Sequence, residues 1–397
     1  MVVLLLLVEL YSCLCYNYRM ASTSKNELDF LEEFHHETPF FVFSKKKILD
    51  KYHEFQKSFP KATIHYAIKA NSEPELLKLL FEAGSSFEVA SKYELDFLKA
   101  LKVPPERILY GTSVKPALHI KEFQHYGVDR FSFDSLSELE KIAQVAPGAR
   151  VYCRMNVNDS GSIYRFSEKF GTSKSNITLL LERARDLGLH PYGISFHVGS
   201  QAGNEKAWAY ALENIIEAME HLQKVGIKID MINLGGGYPC NAYISSENTF
   251  KLKDVAKHTL KVIKKLPYQP RIIIEPGRGI VAETGILVTS IIAKVERDEH
   301  TWLFLDAGVY NALFESLSYQ GSIRYKITSM RPIHNQGEAL FALAGPTGDS
   351  WDIVTREALL PRDINVGDKL VFHDVGAYNT VFMNRFNGFP HTPVYFV

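Results

Sequence analysis

The chain has 397 residues, enough for two domains and a large core. Hydrophobic residues make up 46% and charged residues 23%, the mix of an ordinary soluble enzyme. Lys plus Arg and Asp plus Glu balance at 45 each and no basic tract appears, which removes the electrostatic case for nucleic acid.

The chain opens with MVVLLLLVELYSCLCYNYRM. Its apolar run is too short to span a bilayer. As a secretion signal it lacks a basic start and carries Glu9. It reads as an upstream mis-assigned start or a disordered leader, with a more ordinary beginning at Met20. Residues 1–37 are therefore set aside as leader and N-terminal segment, and no membrane partner is expected. PFFVFS (39–44) then gives an early strand.

Eight short apolar runs follow, each with polar or glycine residues at its end, among them a lysine, Lys69, in the first. They are TIHYAIKAN (63–71), SFEVAS (86–91), RILYGTS (107–113), RFSFDS (130–135), ARVYCRMNV (149–157), YGISFHVGS (192–200), DMINLGGG (230–237) and RIIIEPGR (271–278). Amphipathic patterns such as ELLKLLFEAG, SELEKIAQVA and AYALENIIEAMEHLQKVG separate most of them. Buried strands alternating with helices indicate a parallel sheet, and eight such units indicate a closed (β/α)8 TIM-type barrel over residues 38–280. After Arg278 the texture changes to ILVTSIIAKVER, TWLFLDAG, EALFALAGP, DKLVFHDVGAYN and TPVYFV, with no long amphipathic helix. Residues 281–397 therefore read as a C-terminal β-rich domain, sandwich- or barrel-like, which the strand at 39–44 is a candidate to join.

Cys13 and Cys15 fall in the leader; Cys153 and Cys240 fall in or just after barrel strands. No disulfide framework and no zinc spacing appear. No metal is expected, and the usage fits a reducing cytoplasm.

Barrel active sites sit at the C-terminal strand ends. Here those ends carry Lys69, Glu88, Arg154, His197, Ser200, Gly235-Gly236-Gly237, Glu275, Gly277 and Arg278. A desolvated lysine is a nucleophile toward carbonyls. Glycine amides and an arginine after strands seven and eight suit a phosphate. A carboxylate such as Glu275 beside a pyridine nitrogen keeps that nitrogen protonated. Together they make an inventory for an anionic, nitrogen-containing cofactor held by a lysine. Plainer readings stay open residue by residue. Lys69 could end a strand in solvent, Glu275 could pair with Arg278, and His197 could be structural.

The order HYAIKAN, FEVAS, CRMNVND, KFG, SFHVGS, NLGGG, EPGR, GPTGDSWD, VGAY and FNGF resembles the fold-type III pyridoxal-phosphate decarboxylases, the ornithine decarboxylase group, from about residue 38 to the last residue. The resemblance implies that Lys69 bonds pyridoxal 5'-phosphate covalently, that His197 stacks on its ring and that Glu275 pairs with its nitrogen. Glu88 and Arg154 line the ring's surroundings; Ser200, Gly237, Arg278 and Tyr378 hold the phosphate. It further implies a homodimer with shared sites, in which GPTGDSWD (345–352) completes the partner's site and Asp349 meets the substrate's distal amine. Lys169 belongs to a mobile loop near that interface. Two departures mark the substrate end. Gly348 stands where the family has a cysteine associated with protonating Cα. Near the position where ornithine-specific relatives carry an aspartate, this chain offers Glu315 and Tyr319.

The expected function is decarboxylation of a basic L-amino acid of the ornithine or lysine type, in polyamine biosynthesis. The alternatives are a decarboxylase of another amino acid and a non-catalytic regulator of the antizyme-inhibitor kind. Loss of the thiol favours the regulator; retention of Lys69, His197, Glu275 and Arg278 opposes it.

Overall fold

The computed structural model describes residues 30–31, 37–240, 250–297, 299–321, 325–330 and 337–397. Of the leader and N-terminal segment expected at 1–37, residues 1–29 and 32–36 lie outside the described residues. The chain divides into two compact units, one of Leu49–Ile280 and one of the residues up to Ile48 with Val281–Val397.

In the first unit all eight apolar runs form parallel strands of a closed barrel. They are β1 (Ala62–Ala67), β2 (Ser86–Val89), β3 (Ile108–Tyr110), β4 (Arg130–Phe133), β5 (Arg150–Arg154), β6 (His190–Ser195), β7 (Met231–Asn233) and β8 (Arg271–Ile274). Closure comes from β8 lying beside β1, with Ile272 opposite Ala62 and Ile274 opposite Ile64. The helices between strands start where local chemistry tells them to. Ser91 caps Lys92–Ala100, its hydroxyl accepting from Glu94 N at 3.2 Å, and Ser135 caps Leu136–Val145 in the same way. Pro74 opens Pro74–Glu82, whose Leu76, Leu77 and Leu80 are buried.

Leu109, Tyr152, Tyr192, Met231 and Ile273 form an apolar cluster in this unit. Side chains alternate along a strand, so Arg154 shares the inner face with Tyr152, and Glu275 continues the face of Ile273. The cluster is thus the dry layer directly beneath the polar rim. A short antiparallel pair, Ser162–Tyr164 with Ser200–Ala202, lies off the barrel path.

The second unit holds one mixed, eight-stranded sheet. Its long strand Gly285–Arg297 pairs with Phe40–Phe43, Lys369–Phe372 and His300–Leu305. The early strand at 39–44 therefore belongs to this sheet, where Phe40 and Val42 pack with Leu31, Ile286, Val288 and Val371. Its four residues are all buried, which accounts for a run of aromatics without polar alternation. Ile327–Ser329 and Ile353–Pro361 are further strands, which their sequence pattern does not announce.

Candidate active site

The first barrel run stops short of its lysine. After Ala67 the chain turns through Ile68–Ala70, closed by Asn71 N donating to Ile68 O at 3.0 Å. This turn lifts Lys69 above the rim, where its side chain is 43% exposed, and brings Nζ into an ion pair with Glu88. Strand register accounts for the meeting: Ala67 lies directly opposite Glu88. The Glu88 side chain is only 4% exposed. Its space comes from Gly111 at the end of β3, where an added Cβ would fall 2.2 Å from Glu88 Oε1.

Glu275 follows β8 and is held by Asn233, the last residue of β7. Asn233 Nδ2 donates to Glu275 Oε1 at 2.5 Å, while Asn233 Oδ1 accepts from Gly235 N at 2.9 Å. One asparagine thus ties the carboxyl to the glycine loop. Burial pushes the Glu275 carboxyl up to about 7 and the Glu88 charge adds to that; Lys69, the Asn233 bond and Arg154 work the other way. Glu94 is also raised to about 7, by burial first and by Glu88, against its bond from Ala90 N and the charge of Lys69. His197 is driven well below the ordinary histidine range by burial, then by the charges of Arg154 and Lys69. Its ring is neutral. Gly199 N donates to Nδ1 at 3.1 Å, which places the ring proton on Nε2.

The glycine loop packs without room for side chains. A Cβ on Gly235 would lie 2.2 Å from Phe196 O, one on Gly236 2.6 Å from Glu275 O, and one on Gly237 2.3 Å from Gly199 O. Gly235 and Gly237 also take positive φ, at 63° and 95°. Trp208 Nε1 donates to Gly236 O and Ala202 N to Gly237 O, so the loop's carbonyls are engaged on the barrel side. The amides of Gly236, Gly237 and Gly277 find no acceptor among the described residues. Buried Ser200 begins the strand beside them, and Arg278, 5% exposed, starts the helix Arg278–Val281.

Unmet amides, a neighbouring arginine, a rim lysine and a buried carboxyl fit pyridoxal 5'-phosphate: amides and guanidinium for the phosphate, amine for the aldehyde, carboxyl for the ring nitrogen. The structure thus brings Lys69, Glu88, Arg154, His197, Ser200, Gly235, Gly236, Gly237, Glu275, Gly277 and Arg278 to one rim of one unit.

The remaining residues of interest belong to the other unit. Asp349 is half-buried, and its Oδ1 accepts from Trp351 N at 2.7 Å. The loop bearing it is fixed by buried Asp352, which accepts from Val309 N at 2.7 Å and from Thr347 N at 3.0 Å and Oγ1 at 2.6 Å. Gly308 and Gly345 leave the room Asp352 needs. At Gly348 an added Cβ would meet nothing within 4 Å. Glu315 is 2% exposed in the helical turn Phe314–Gly321, and its amide donates to Asn379 Oδ1 at 3.5 Å. Tyr319 lies in the same turn, but its side chain is outside the described residues. Tyr378 takes a left-handed φ of 56°. Among the described residues no group of three or more His, Cys, Asp or Glu could hold a metal ion, and no helix is long and apolar enough to cross a membrane.

Sequence reasoning missed Asn233, Glu94, Gly111 and Asp352. Asn233 and Gly111 sit inside the apolar runs that end at the rim, each directly after an apolar residue, and that placement was the available signal. Glu94 stands three residues after Ser91, the spacing of a helix-capping pair, and Asp352 closes GPTGDSWD, and those placements were the available signals.

Residues 45–282 match the family pyridoxal-dependent decarboxylase, pyridoxal binding domain. The chain is 33% identical over 359 residues to a lysine/ornithine decarboxylase of Selenomonas ruminantium, covering 90% of this chain and 88% of that protein. It is 32% identical over 372 residues to antizyme inhibitor 2 of Xenopus laevis, covering 90% and 80%. Among solved structures it is similar to SrLDC in complex with PLP and cadaverine, with a TM-score of 0.85, 32% identity and coverage of 94% and 93%.

Proposed function

The chain belongs to the pyridoxal-dependent decarboxylase family, and we propose that within it the protein releases carbon dioxide from a basic L-amino acid of ornithine or lysine size, yielding a diamine for polyamine synthesis. The observation that carries this reading is the rim itself: an amine on Lys69, a buried carboxyl on Glu275 and unmet glycine amides beside Arg278, all on one barrel. A relative that handles lysine and ornithine and a neighbour that holds cadaverine support the choice of substrate class.

When bound, pyridoxal phosphate supplies an electron sink for the pair left at Cα as carbon dioxide departs. The chain's own residues prepare that event. Lys69 is the amine that would hold the cofactor's aldehyde carbon and yield it to the substrate's amine. The amides of Gly236, Gly237 and Gly277 with Arg278 would hold the phosphate. Asn233 occupies Glu275 Oε1, so a proton on this carboxyl sits on Oε2. Burial keeps that proton available near neutral pH, and pairing it with a ring nitrogen lets Glu275 hold the nitrogen protonated. Neutral His197 presents a flat, uncharged ring to its surroundings.

The substrate panel is the test: carbon dioxide release from L-ornithine, L-lysine, L-arginine and L-diaminobutyrate. Ornithine or lysine should lead. A chain that binds the cofactor and releases nothing from any of the four, yet binds a partner protein, would instead behave like the antizyme-inhibitor relative.

The proposal includes a homodimer with shared sites and a cytoplasmic setting. Trp351 in GPTGDSWD is 69% exposed and Phe386 40%, apolar surface suited to a second copy. Cys153 and Cys240 are buried and carry no disulfide, in keeping with a reducing compartment. If Asp349 serves the partner's site, mixing Lys69→Ala chains with Asp349→Ala chains restores activity that neither has alone, because half of the sites in a mixed dimer are intact. No recovery after demonstrated subunit exchange would remove the shared site.

A further inference from the structure

Residues 159–171 form a strap that begins beside the rim and ends against β5. Three of its rings touch three rim groups. The Arg278 guanidinium lies 5.4 Å from the Tyr164 ring centre. Phe166 meets the His197 ring edge-on, at 5.0 Å and 75°. The Arg154 guanidinium lies 5.1 Å from the Phe170 ring. These are the groups that flank the proposed cofactor: phosphate end, ring face and ring surroundings.

Several bonds fix this strap. Ser162–Tyr164 pairs antiparallel with Ser200–Ala202, Tyr164 opposite Ser200. The pair can approach only because residue 199 is glycine, since a Cβ there would fall 2.5 Å from Ser162 Cβ. Ser162 Oγ donates to Val198 O at 2.6 Å, and Gly171 N to Asp134 Oδ2 at 2.8 Å. Those anchors hold the two ends. In the middle Ser167 Oγ donates to Val157 O at 2.6 Å and Asn156 Nδ2 to Ser167 O at 2.5 Å, and the amides of the turn itself are gathered by Asp159. Asp159 is 8% exposed, and one carboxylate oxygen, Oδ2, accepts from both Phe166 N at 2.6 Å and Ser167 N at 2.9 Å. No cation pairs with it among the described residues. Burial alone would raise this carboxyl, but the amide bonds from Ser167 and Phe166 outweigh it and hold it below the ordinary range. Bonds from an ionised acceptor are about twice as strong as neutral ones.

We propose that Asp159 is a positioning residue for the cofactor site: by gathering the Phe166 and Ser167 amides it sets the turn that carries Tyr164 to Arg278, Phe166 to His197 and Phe170 to Arg154. It touches no reacting atom and acts through these rings. The proposal rests on the reading of this rim as a pyridoxal-phosphate site. Its effect should therefore fall on cofactor retention and strap order more than on turnover once cofactor is saturating.

The test compares wild type, Asp159→Asn and Asp159→Ala, freed of cofactor and titrated with pyridoxal 5'-phosphate by visible absorbance. The same chains are digested lightly with trypsin, which can cut after Arg165 and Lys169, both exposed within the strap. Asp159→Ala should weaken cofactor binding roughly tenfold, the scale of losing a charge-assisted bond pair, and speed both strap cuts, with the melting temperature little changed. Asp159→Asn keeps an acceptor oxygen without the charge and should fall between. Asp159→Ala chains that are cut and bind cofactor as wild type would overturn the proposal. So would Asn and Ala variants that lose affinity equally and in step with melting temperature. Should Asp159→Ala not fold, Asp159→Asn decides by the same two readouts. Wild type that fails to bind pyridoxal phosphate would sink the cofactor reading instead, while the digestion still judges the strap.

Discussion

Lys69→Ala is expected to abolish decarboxylation, with a loss of at least about three orders of magnitude, the scale at which an essential nucleophile is removed. The covalent hold on the cofactor should vanish with it. Borohydride reduction followed by denaturation should leave pyridoxyl label on wild type and none on the variant. Two effects are mixed in that substitution. Removing Nζ takes away a nucleophile, and it also strips Glu88 of its ammonium partner while that carboxylate stays 4% exposed. An unpaired buried charge costs stability, although the 43% exposure of the Lys69 side chain lets water and ions soften the loss. Lys69→Arg separates the two. A guanidinium keeps a positive charge beside Glu88 but cannot bond the aldehyde. It should therefore be as inactive and unlabelled as Lys69→Ala, with a smaller drop in melting temperature. Turnover in either variant with cofactor supplied would take this lysine out of the mechanism.

The place of Lys69 at the rim was legible as a lysine at the end of an apolar run, but the burial expected of it was not met, since the strand ends at Ala67 and the Lys69 side chain is 43% exposed. The eight barrel strands were legible too, as short apolar runs ending in polar rims that recur with helices between them. What was not legible depends on the register between strands. Glu88 meets Lys69 because Ala67 and Glu88 are paired, and it fits because Gly111 on the next strand has no Cβ. A glycine in RILYGTS looks like any turn glycine until its neighbour is known. Asn233 stands in NLGGG, yet its bond to Glu275 crosses from β7 to the end of β8. Asp159 reads as one more polar residue in a loop, since its partners are amides rather than a charge that spacing would reveal. The aromatic strand at 39–44 was visible as a strand; its place in the C-terminal sheet follows from pairing with Gly285–Arg297, which no local pattern encodes. At the substrate end, Glu315 is buried within its own unit and Gly348 opens onto free space, two facts that composition alone could not order.

Glu275→Gln should lower the rate by about two to four orders of magnitude while cofactor binding changes far less, because the amide keeps shape and hydrogen bonding but cannot hold a ring nitrogen protonated. A second measurement isolates the carboxyl without any cofactor. In the free chain burial raises the Glu275 carboxyl from 4.5 to about 7. A raised carboxyl means the folded state favours the protonated form. Its contribution is therefore fully present below about 4.5, the ordinary value, and is lost as pH rises through about 7, where a charge must be buried beside Glu88. Cofactor-free wild type should lose stability over that window by an amount on the order of a few kcal/mol. Glu94 is raised to about 7 as well and contributes to the same slope, but it is present in both proteins, so their difference reports Glu275. Glu275→Gln should match wild type in melting temperature below about pH 4.5 and exceed it increasingly above that, most clearly near pH 8. The two results bear on one another: a variant that gains stability above pH 7 and loses turnover shows a carboxyl kept at a cost to the fold for the sake of the ring nitrogen. Normal turnover in Glu275→Gln would reduce this residue to a structural partner of Asn233.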